Sequence, residues 1–418
     1  MHSFKSDEFK IRVLTKDDAE EYNALLRYAF QVTEADLAET GWKDDEIKQS
    51  KFPVLERADV LGCFNIIDKK EELVAQFAVY PLDMNIYGER YEVGFVTSVC
   101  TYPEYTGHGI MKKLMRKSLT RMRDSNKSFA LLYPYSIPLY RGLGWEIISN
   151  KMTYVIKDRQ IPTKLKEPGY VRRVQWDDEQ FKKLHTHFAA KTHGCLYRNN
   201  LAWEEYFRWD EDDTMVAIYY NEDDEPCGYM VYLISSDVMH IKELIYLNRE
   251  AQLGLWEYIH AHDSMIDEVR GNNYYSEPIA FELDDSDIKE TIRPYAMGRI
   301  IDVSQFISQY NCDPDGPGGC FSFKIEDELL PWNNGTFVID FEKGHCALTD
   351  KKPQYHLSMS IGTFTTLLLG YKSAEKLLQM AKYRLRMMLL QSLTIFYIMR
   401  YHMYLTTYDD KRSKGKGK

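Results

Sequence analysis

The residues between Val93 and Trp145 have the types and order needed to bind an anion and act beside it. A glycine-containing turn, Glu104-Tyr105-Thr106-Gly107-His108-Gly109, leads into a segment with apolar residues at Ile110, Met111, Leu114, Met115, Leu119 and Met122. Lys112, Lys113, Arg116, Lys117 and Arg121 fall between them, so the spacing predicts a helix with one buried stripe and one basic face. At the start of such a helix the first backbone N–H groups are unpaired and the dipole is positive, which holds a phosphate without any dedicated side chain. The glycines let the ligand approach. A plain strand-to-helix connection has the same local sequence, so the turn takes its meaning from its flanks.

Ahead of it, Val93 to Thr101 is rich in β-branched and aromatic residues and is closed by Pro103, which predicts a strand. A hairpin pair, Val60 to Asp68 and Glu72 to Tyr87, precedes that strand, with reversals at Asp68-Lys69-Lys70-Glu71 and Tyr87-Gly88-Glu89. Beyond the helix come a strand, Phe129 to Tyr133, then Pro134-Tyr135-Ser136-Ile137-Pro138 and Leu139-Tyr140-Arg141-Gly142-Leu143-Gly144-Trp145, a short helix carrying one tyrosine. Strand, turn, helix, strand and short helix is an order suited to gripping a pyrophosphate and working next to it.

At these residues the chain resembles the GCN5-related N-acetyltransferases, whose pyrophosphate loop reads Arg or Gln, two residues, Gly, one residue, then Gly or Ala. The frame falls on Thr106-Gly107-His108-Gly109-Ile110-Met111, with Thr106 where Arg or Gln is usual and Met111 in place of the last small residue. Met111, Tyr133-Pro134-Tyr135-Ser136 and Leu139 to Trp145 together look like the Eis-type (enhanced intracellular survival) branch, over nearly the whole length except the extreme C-terminus. The resemblance implies an α/β (α+β) fold: two tandem GCN5-type acetyltransferase units followed by a sterol-carrier-protein-like α/β domain. The expected segments are 1–160 for the catalytic unit, 161–292 for a degenerate second unit and 293–418 for the third. A homo-oligomer, a hexamer in the family, is also implied.

Acetyl-CoA is the implied co-substrate. Val99, Cys100 and Thr101, at the end of the splayed strand, with Gly107, His108, Gly109, Ile110, Met111, Lys112, Tyr135 and Ser136 are the expected cofactor-binding residues. Tyr140 matches the family's general acid, which protonates the departing thiolate; as one of 31 tyrosines it has packing as its alternative role. Eis-type enzymes use the C-terminal carboxylate as base. Here the chain departs from the family after about Lys382, and the run Lys411 to Lys418 carries five Lys or Arg residues, so Lys418 is expected in solvent and not at the site.

Further along, helical spacing covers Asp177 to Lys191, Leu201 to Trp209 and Glu250 to His262, and strands are expected at Thr214 to Tyr220, Gly228 to Ser235 and Val238 to Leu247. In the slot of the phosphate turn stands Leu247-Asn248-Arg249-Glu250-Ala251, without glycine, so the second unit is not expected to hold the cofactor. The third segment opens near Arg293, with strands around Cys320 to Ile325 and Gly335 to Phe341 and helices Ile361 to Leu369 and Ser373 to Met380, the last capped by Ser373.

The remaining constellations carry less. The pairs His185/His187 and His260/His262 have two-residue spacing, which on a helix turns the imidazoles apart, and no metal site is expected. The net charge of −10 argues against nucleic acid and suits cations. Glu34, Asp36, Glu39, Asp44, Asp45 and Glu46 form a solvated face from which one or two carboxylates can meet an ammonium group. No secretory segment or bilayer-length apolar run is present, and seven cysteines without a paired motif fit the cytoplasm. The expected activity is transfer of acetyl to primary amines of a cationic small molecule, aminoglycoside- or polyamine-like, or of a lysine side chain. Two alternatives stand: a non-catalytic scaffold that binds CoA or a lipid-like ligand, and an oligomer whose assembly is its function.

Overall fold

The structure, a computed structural model, describes residues 9–33, 49–67, 69–162, 166–208, 213–275, 277–312, 318–342, 344–380 and 383–386. Glu34 to Glu46 and the tail Lys411 to Lys418 lie outside the described residues. Described residues up to Ile148 and from Ala296 onward form one compact unit; Ser149–Tyr295 form a second.

The first unit opens with β1 (Phe9–Val13), α1 (Ala19–Phe30), α2 (Phe52–Arg57), β2 (Asp59–Ile67), β3 (Lys70–Ile86) and β4 (Glu89–Thr101). It continues through α3 (Ile110–Asp124), β5 (Phe129–Leu132), α4 (Ile137–Arg141) and β6 (Glu146–Ile147). The β3–β4 reversal uses two left-handed residues, Tyr87 and Gly88, the backbone that a two-residue hairpin turn requires. On α3, Ile110, Leu114, Met115, Leu119 and Met122 are buried against Leu61, Val74, Phe77, Val79 and Val96 of the sheet, the stripe that the spacing predicts. The helix stops at Asn126, which adopts the left-handed conformation while Lys127 N–H bonds back to the Met122 carbonyl at 2.9 Å.

The second unit contains β7 (Asn150–Lys157), β8 (Tyr170–Val174), α5 (Glu179–Lys191), β9 (Leu196–Tyr197), α6 (Asn200–Phe207), β10 (Met215–Tyr220), β11 (Pro226–Ser235), β12 (Val238–Tyr246), α7 (Arg249–His260), β13 (Glu268–Asn273) and β14 (Lys289–Pro294). Its sheet runs β14-β7-β13-β12-β11-β10-β8, and only β12 with β13 is parallel. His185 is buried here between the Tyr229 hydroxyl (3.0 Å) and the Leu196 carbonyl (3.1 Å), and burial lowers it to about 4. It is a neutral core imidazole.

The chain then returns to the first unit with β15 (Met297–Ile300), α8 (Val303–Ile307), β16 (Gly319–Glu326), β17 (Gly335–Glu342), β18 (His345–Leu348), β19 (Tyr355–Ser360), α9 (Ile361–Leu368), α10 (Ala374–Gln379) and β20 (Tyr383–Arg386). A second sheet of this unit runs β18-β17-β16-β19-β20, with α9 against it. The reading of Arg293 to Val303 as the opening of the third segment misses what Met297–Ile300 does: β15 inserts between β5 and β6, so the first sheet runs β1-β2-β3-β4-β5-β15-β6. Four residues interrupted by Gly298 and Arg299 are too short for a period-2 pattern to declare itself.

Arg299 and its partner Asp327 are both fully buried, and two carboxylate oxygens meet Nη2 at 2.6 and 2.7 Å. Arg299 Nη1 donates to the carbonyl of Leu143, at the end of α4. That end is a complete Schellman motif: Trp145 N–H reaches the Tyr140 carbonyl (3.1 Å), Gly144 N–H reaches Arg141 (3.0 Å), and the Tyr140 and Trp145 rings touch edge-on at 6.2 Å. Gly144 is left-handed with φ +83°, and a Cβ there would run into the Arg299 guanidinium. Gly144→Ala should therefore destabilise by about 1–2 kcal/mol from the backbone alone, with more from displacing Arg299. Denaturant melts check this; a wild-type midpoint would show that the approach of Arg299 to the turn is unimportant.

Candidate functional site

The site begins with one surplus residue. Ala78 faces Thr97 and Gln76 faces Cys100, so Phe77 alone spans Ser98 and Val99 of β4. This bulge puts Ser98 at φ +52°. Tyr22 of α1 holds it there, its hydroxyl donating to Ser98 Oγ at 2.9 Å in the buried interior. On the other side, β4 pairs with β5 only from Val93 to Val96, opposite Phe129 to Leu132. Beyond that point the two parallel strands part, and Thr97 to Thr101 present backbone groups that β5 does not take.

The turn lies at the mouth of this split. Pro103–Tyr105 form one turn of 3₁₀ helix, Gly107 and Gly109 follow at φ +81° and +71°, and α3 begins at Ile110. Lys113 makes the first helical bond, to the Gly109 carbonyl at 3.1 Å, so the N–H groups of Ile110, Met111 and Lys112 precede the ladder. A Cβ at Gly107 or Gly109 would meet nothing within 4 Å. Open space over two left-handed glycines and a helix start is a fitting cradle for a pyrophosphate.

Of the other expected residues, Val99 packs toward the core under α3, and Cys100 is buried on the opposite face of the strand. The Thr101 hydroxyl is buried and, among the described residues, without a hydrogen-bond partner. His108 is exposed and its ring leans against Phe9 at 6.4 Å. Ser136 caps α4 by position only, and the Tyr135 ring is 99% exposed.

Tyr140 is buried on α4, and among the described residues nothing hydrogen-bonds its hydroxyl. Burial pushes that hydroxyl up to about 12, with the neighbouring Cys100 adding to the shift. Cys100 is raised to about 12 as well, again by burial. A thiol held there is ionised to roughly one part in 10⁵ at pH 7, far from a nucleophile.

Comparison with known proteins agrees with this geometry. An acetyltransferase (GNAT) domain family matches residues 10–148, a second acetyltransferase (GNAT) family matches 194–300, and a sterol carrier protein domain family matches 303–393. The chain carries two tandem GNAT acetyltransferase domains and a sterol carrier domain. Acetyl-CoA is the co-substrate of such an N-acetyltransferase. A probable N-acyltransferase of unknown function from Enterococcus faecalis V583 shares 26% identity over 94% of this chain and 96% of its own, with a TM-score of 0.82. A GCN5-related N-acetyltransferase from Anabaena variabilis (19% identity, 95% and 97% covered, TM-score 0.80) and Eis1 from Mycobacterium abscessus (18%, 94% and 96%, 0.73) share the fold. No curated protein matches the chain by sequence.

The second GNAT domain keeps the bulge and fills the split. Val231 faces Glu243 and Tyr232 faces Ile241, which leaves Lys242 as the surplus residue, and β12 parts from β13 after Ile241. The freed Lys242 carbonyl accepts from Asn272 Nδ2 (2.9 Å) and from the Tyr274 hydroxyl (3.2 Å). The Tyr275 hydroxyl accepts from Tyr246 N–H and donates to the Tyr246 carbonyl, both at 3.0 Å. At the helix start, Asn248 Oδ1 takes the Ala251 N–H at 2.8 Å. Side chains of this domain occupy the backbone groups that a cofactor needs. Asn248 and the missing glycines were legible in the sequence. Tyr275 and the bulge-forming Ser98 and Lys242 were not, because no local pattern marks a ladder slip.

At the first domain's turn, Gly109→Ala should raise the acetyl-CoA dissociation constant about tenfold, close to 1.4 kcal/mol, because the Cβ stands where the pyrophosphate must come. Calorimetric titration of the folded variant checks this. Wild-type affinity would remove the turn from the site.

Proposed function

We propose that the first GNAT domain transfers acetyl from acetyl-CoA to a primary amine of a cationic small molecule, aminoglycoside- or polyamine-like, or of a lysine side chain, and that Tyr140 is its general acid. The observation that carries this reading is the Tyr140 hydroxyl, on a buried residue and without a hydrogen-bond partner among the described residues, within electrostatic reach of Cys100 on the part of β4 that has left β5. Acetyl-CoA supplies an activated thioester. The peptide groups of Val99, Cys100 and Thr101 and the helix start from Gly107 to Lys112 hold it, and Tyr135 and Ser136 line the β5 side. The neutral amine attacks the thioester carbonyl, the C–S bond breaks as Tyr140 gives its proton to the departing thiolate, and the proton shed by the amine nitrogen passes to solvent, from which the phenol is restored.

The cationic acceptor is supported on the α1 side of the opening. Tyr28 and Tyr102 meet edge-on at 5.2 Å. Burial raises the Tyr102 hydroxyl, and Cys100, Glu104 and Glu72 raise it further, so two carboxylates stand within electrostatic reach of an aromatic face. Aromatic rings with carboxylates behind them suit an ammonium group. The Eis-type assignment and a homo-oligomer rest on family resemblance. A cytoplasmic location is supported by seven free cysteines, and among the described residues no helix is long and apolar enough to cross a membrane.

Thiol release from acetyl-CoA with spermidine, kanamycin and a lysine peptide tests the activity; acetyl-CoA binding without release on any amine would favour a binding scaffold. Tyr140→Phe should leave acetyl-CoA affinity intact and lower kcat about 10²–10⁴-fold. A phenol raised to about 12 stays protonated below that pH, so Tyr140 should add no descending limb to the kcat profile between pH 6 and 10. A limb in that range that vanishes in Tyr140→Phe would show that the phenol titrates lower than its burial implies.

A further inference from the structure

We infer that Arg299 and Asp327 are positioning residues that set the Tyr140 phenol against the acetyl-CoA helix, an inference resting on the reading of Tyr140 above. The Leu143 carbonyl is one that the Schellman end of α4 leaves without a backbone donor, and Arg299 Nη1 answers it. Among the described residues Arg299 Nε has no partner, and the guanidinium is fixed by that carbonyl and by Asp327. Asp327 is immobilised in turn: its carboxylate accepts from Leu329 N–H, Leu330 N–H and Asn333 Nδ2, each at 3.0 Å. Asn334 closes the loop on both sides of the Asp327 backbone, at 2.8 and 2.7 Å.

The same loop also holds α3. Arg116 Nε donates to the Leu329 carbonyl at 3.1 Å, and Trp145, the last residue of the α4 motif, donates from Nε1 to Met115 Sδ at 3.2 Å. One loop of the sterol-carrier segment therefore registers the turn that carries Tyr140 and the helix whose start faces the pyrophosphate. Stability alone does not account for the pair, because a buried ion pair is on average no better than two well-packed apolar side chains. A directed donor at the Leu143 carbonyl is what an apolar pair lacks.

A lysine at position 299 keeps the charge opposite Asp327 and loses the fork that reaches both partners. With the best acceptor of the three above, Arg299→Lys in the full chain should lower kcat by about 10–10²-fold, the scale of an ångström-sized misplacement, with KM for acetyl-CoA within about twofold. In the Tyr140→Phe background the same change should cost less than about twofold, because a residue acting through the phenol has nothing left to position. Wild-type kcat in Arg299→Lys, or an equal loss in both backgrounds, overturns this inference and leaves Tyr140 as the acid. Wild-type turnover in Tyr140→Phe alone removes the acid reading and this inference together. Should Arg299→Lys not accumulate as folded protein, Arg299→Met with Asp327→Leu removes both charges at once and gives the same comparison.

Discussion

The contact between Arg299 and the Leu143 carbonyl is the constraint around which the first unit closes. A short helix of Ile137–Arg141 has no stability of its own, since fewer than two turns cannot repay helix nucleation. It persists because its end is satisfied from three directions: Gly144 turns the chain left-handed, Trp145 packs back on Tyr140 and into Met115, and Arg299 takes the last carbonyl. Each condition limits the others. Arg299 fits only where position 144 has no Cβ, and its charge is tolerated only because Asp327 arrives from a loop that otherwise belongs to the sterol carrier sheet. The sterol carrier segment is thus structurally part of the first unit, whose first sheet also takes in β15.

The two GNAT domains show how little of this activity resides in the fold. Both slip one residue in the ladder, at Ser98–Val99 and at Lys242, and both part from the parallel neighbour just beyond. In the first domain glycines open the turn and, among the described residues, the Thr101 hydroxyl is without a hydrogen-bond partner. In the second, a tyrosine hydroxyl and two side-chain amides complete the same backbone positions from within. A buried N–H or C=O must be answered by something, and whether a ligand or the chain does so decides function.

Much of the first unit was legible because its signals are local. The α3 stripe from Ile110 to Met122, the Tyr87-Gly88 reversal and the Ser373 cap, whose hydroxyl accepts from Lys376 N–H at 3.2 Å, each follow from a few neighbouring residues. Tyr140 became a candidate through a motif, and the reason for the motif emerges only in three dimensions: Gly142-Leu143-Gly144-Trp145 is the sequence of a Schellman end. Arg299 left a readable trace, one cation inside a buried apolar tetrad, yet nothing in the sequence names Asp327 as its partner 28 residues on. The Ser98 bulge left none, since a left-handed serine in a strand depends on Tyr22, 76 residues away. Long-range pairings of this kind are tertiary choices, and local propensity does not contain them.

Burial at the opening also bears on how the proposed acid works. Against a thiol in water, with a pKa near 8.5, a phenol at about 12 is a poor proton donor. The thiolate that leaves acetyl-CoA does not form in water. Cys100 reports the environment beside Tyr140, and there burial raises a thiol to about 12, level with the phenol. A leaving thiolate desolvated to a similar degree would match its donor, the condition under which proton transfer in the transition state is most effective. The same desolvation keeps Cys100 protonated and so a poor competitor for the acetyl group. One apolar setting would thereby make the leaving thiolate basic enough to match its donor and silence the competing nucleophile.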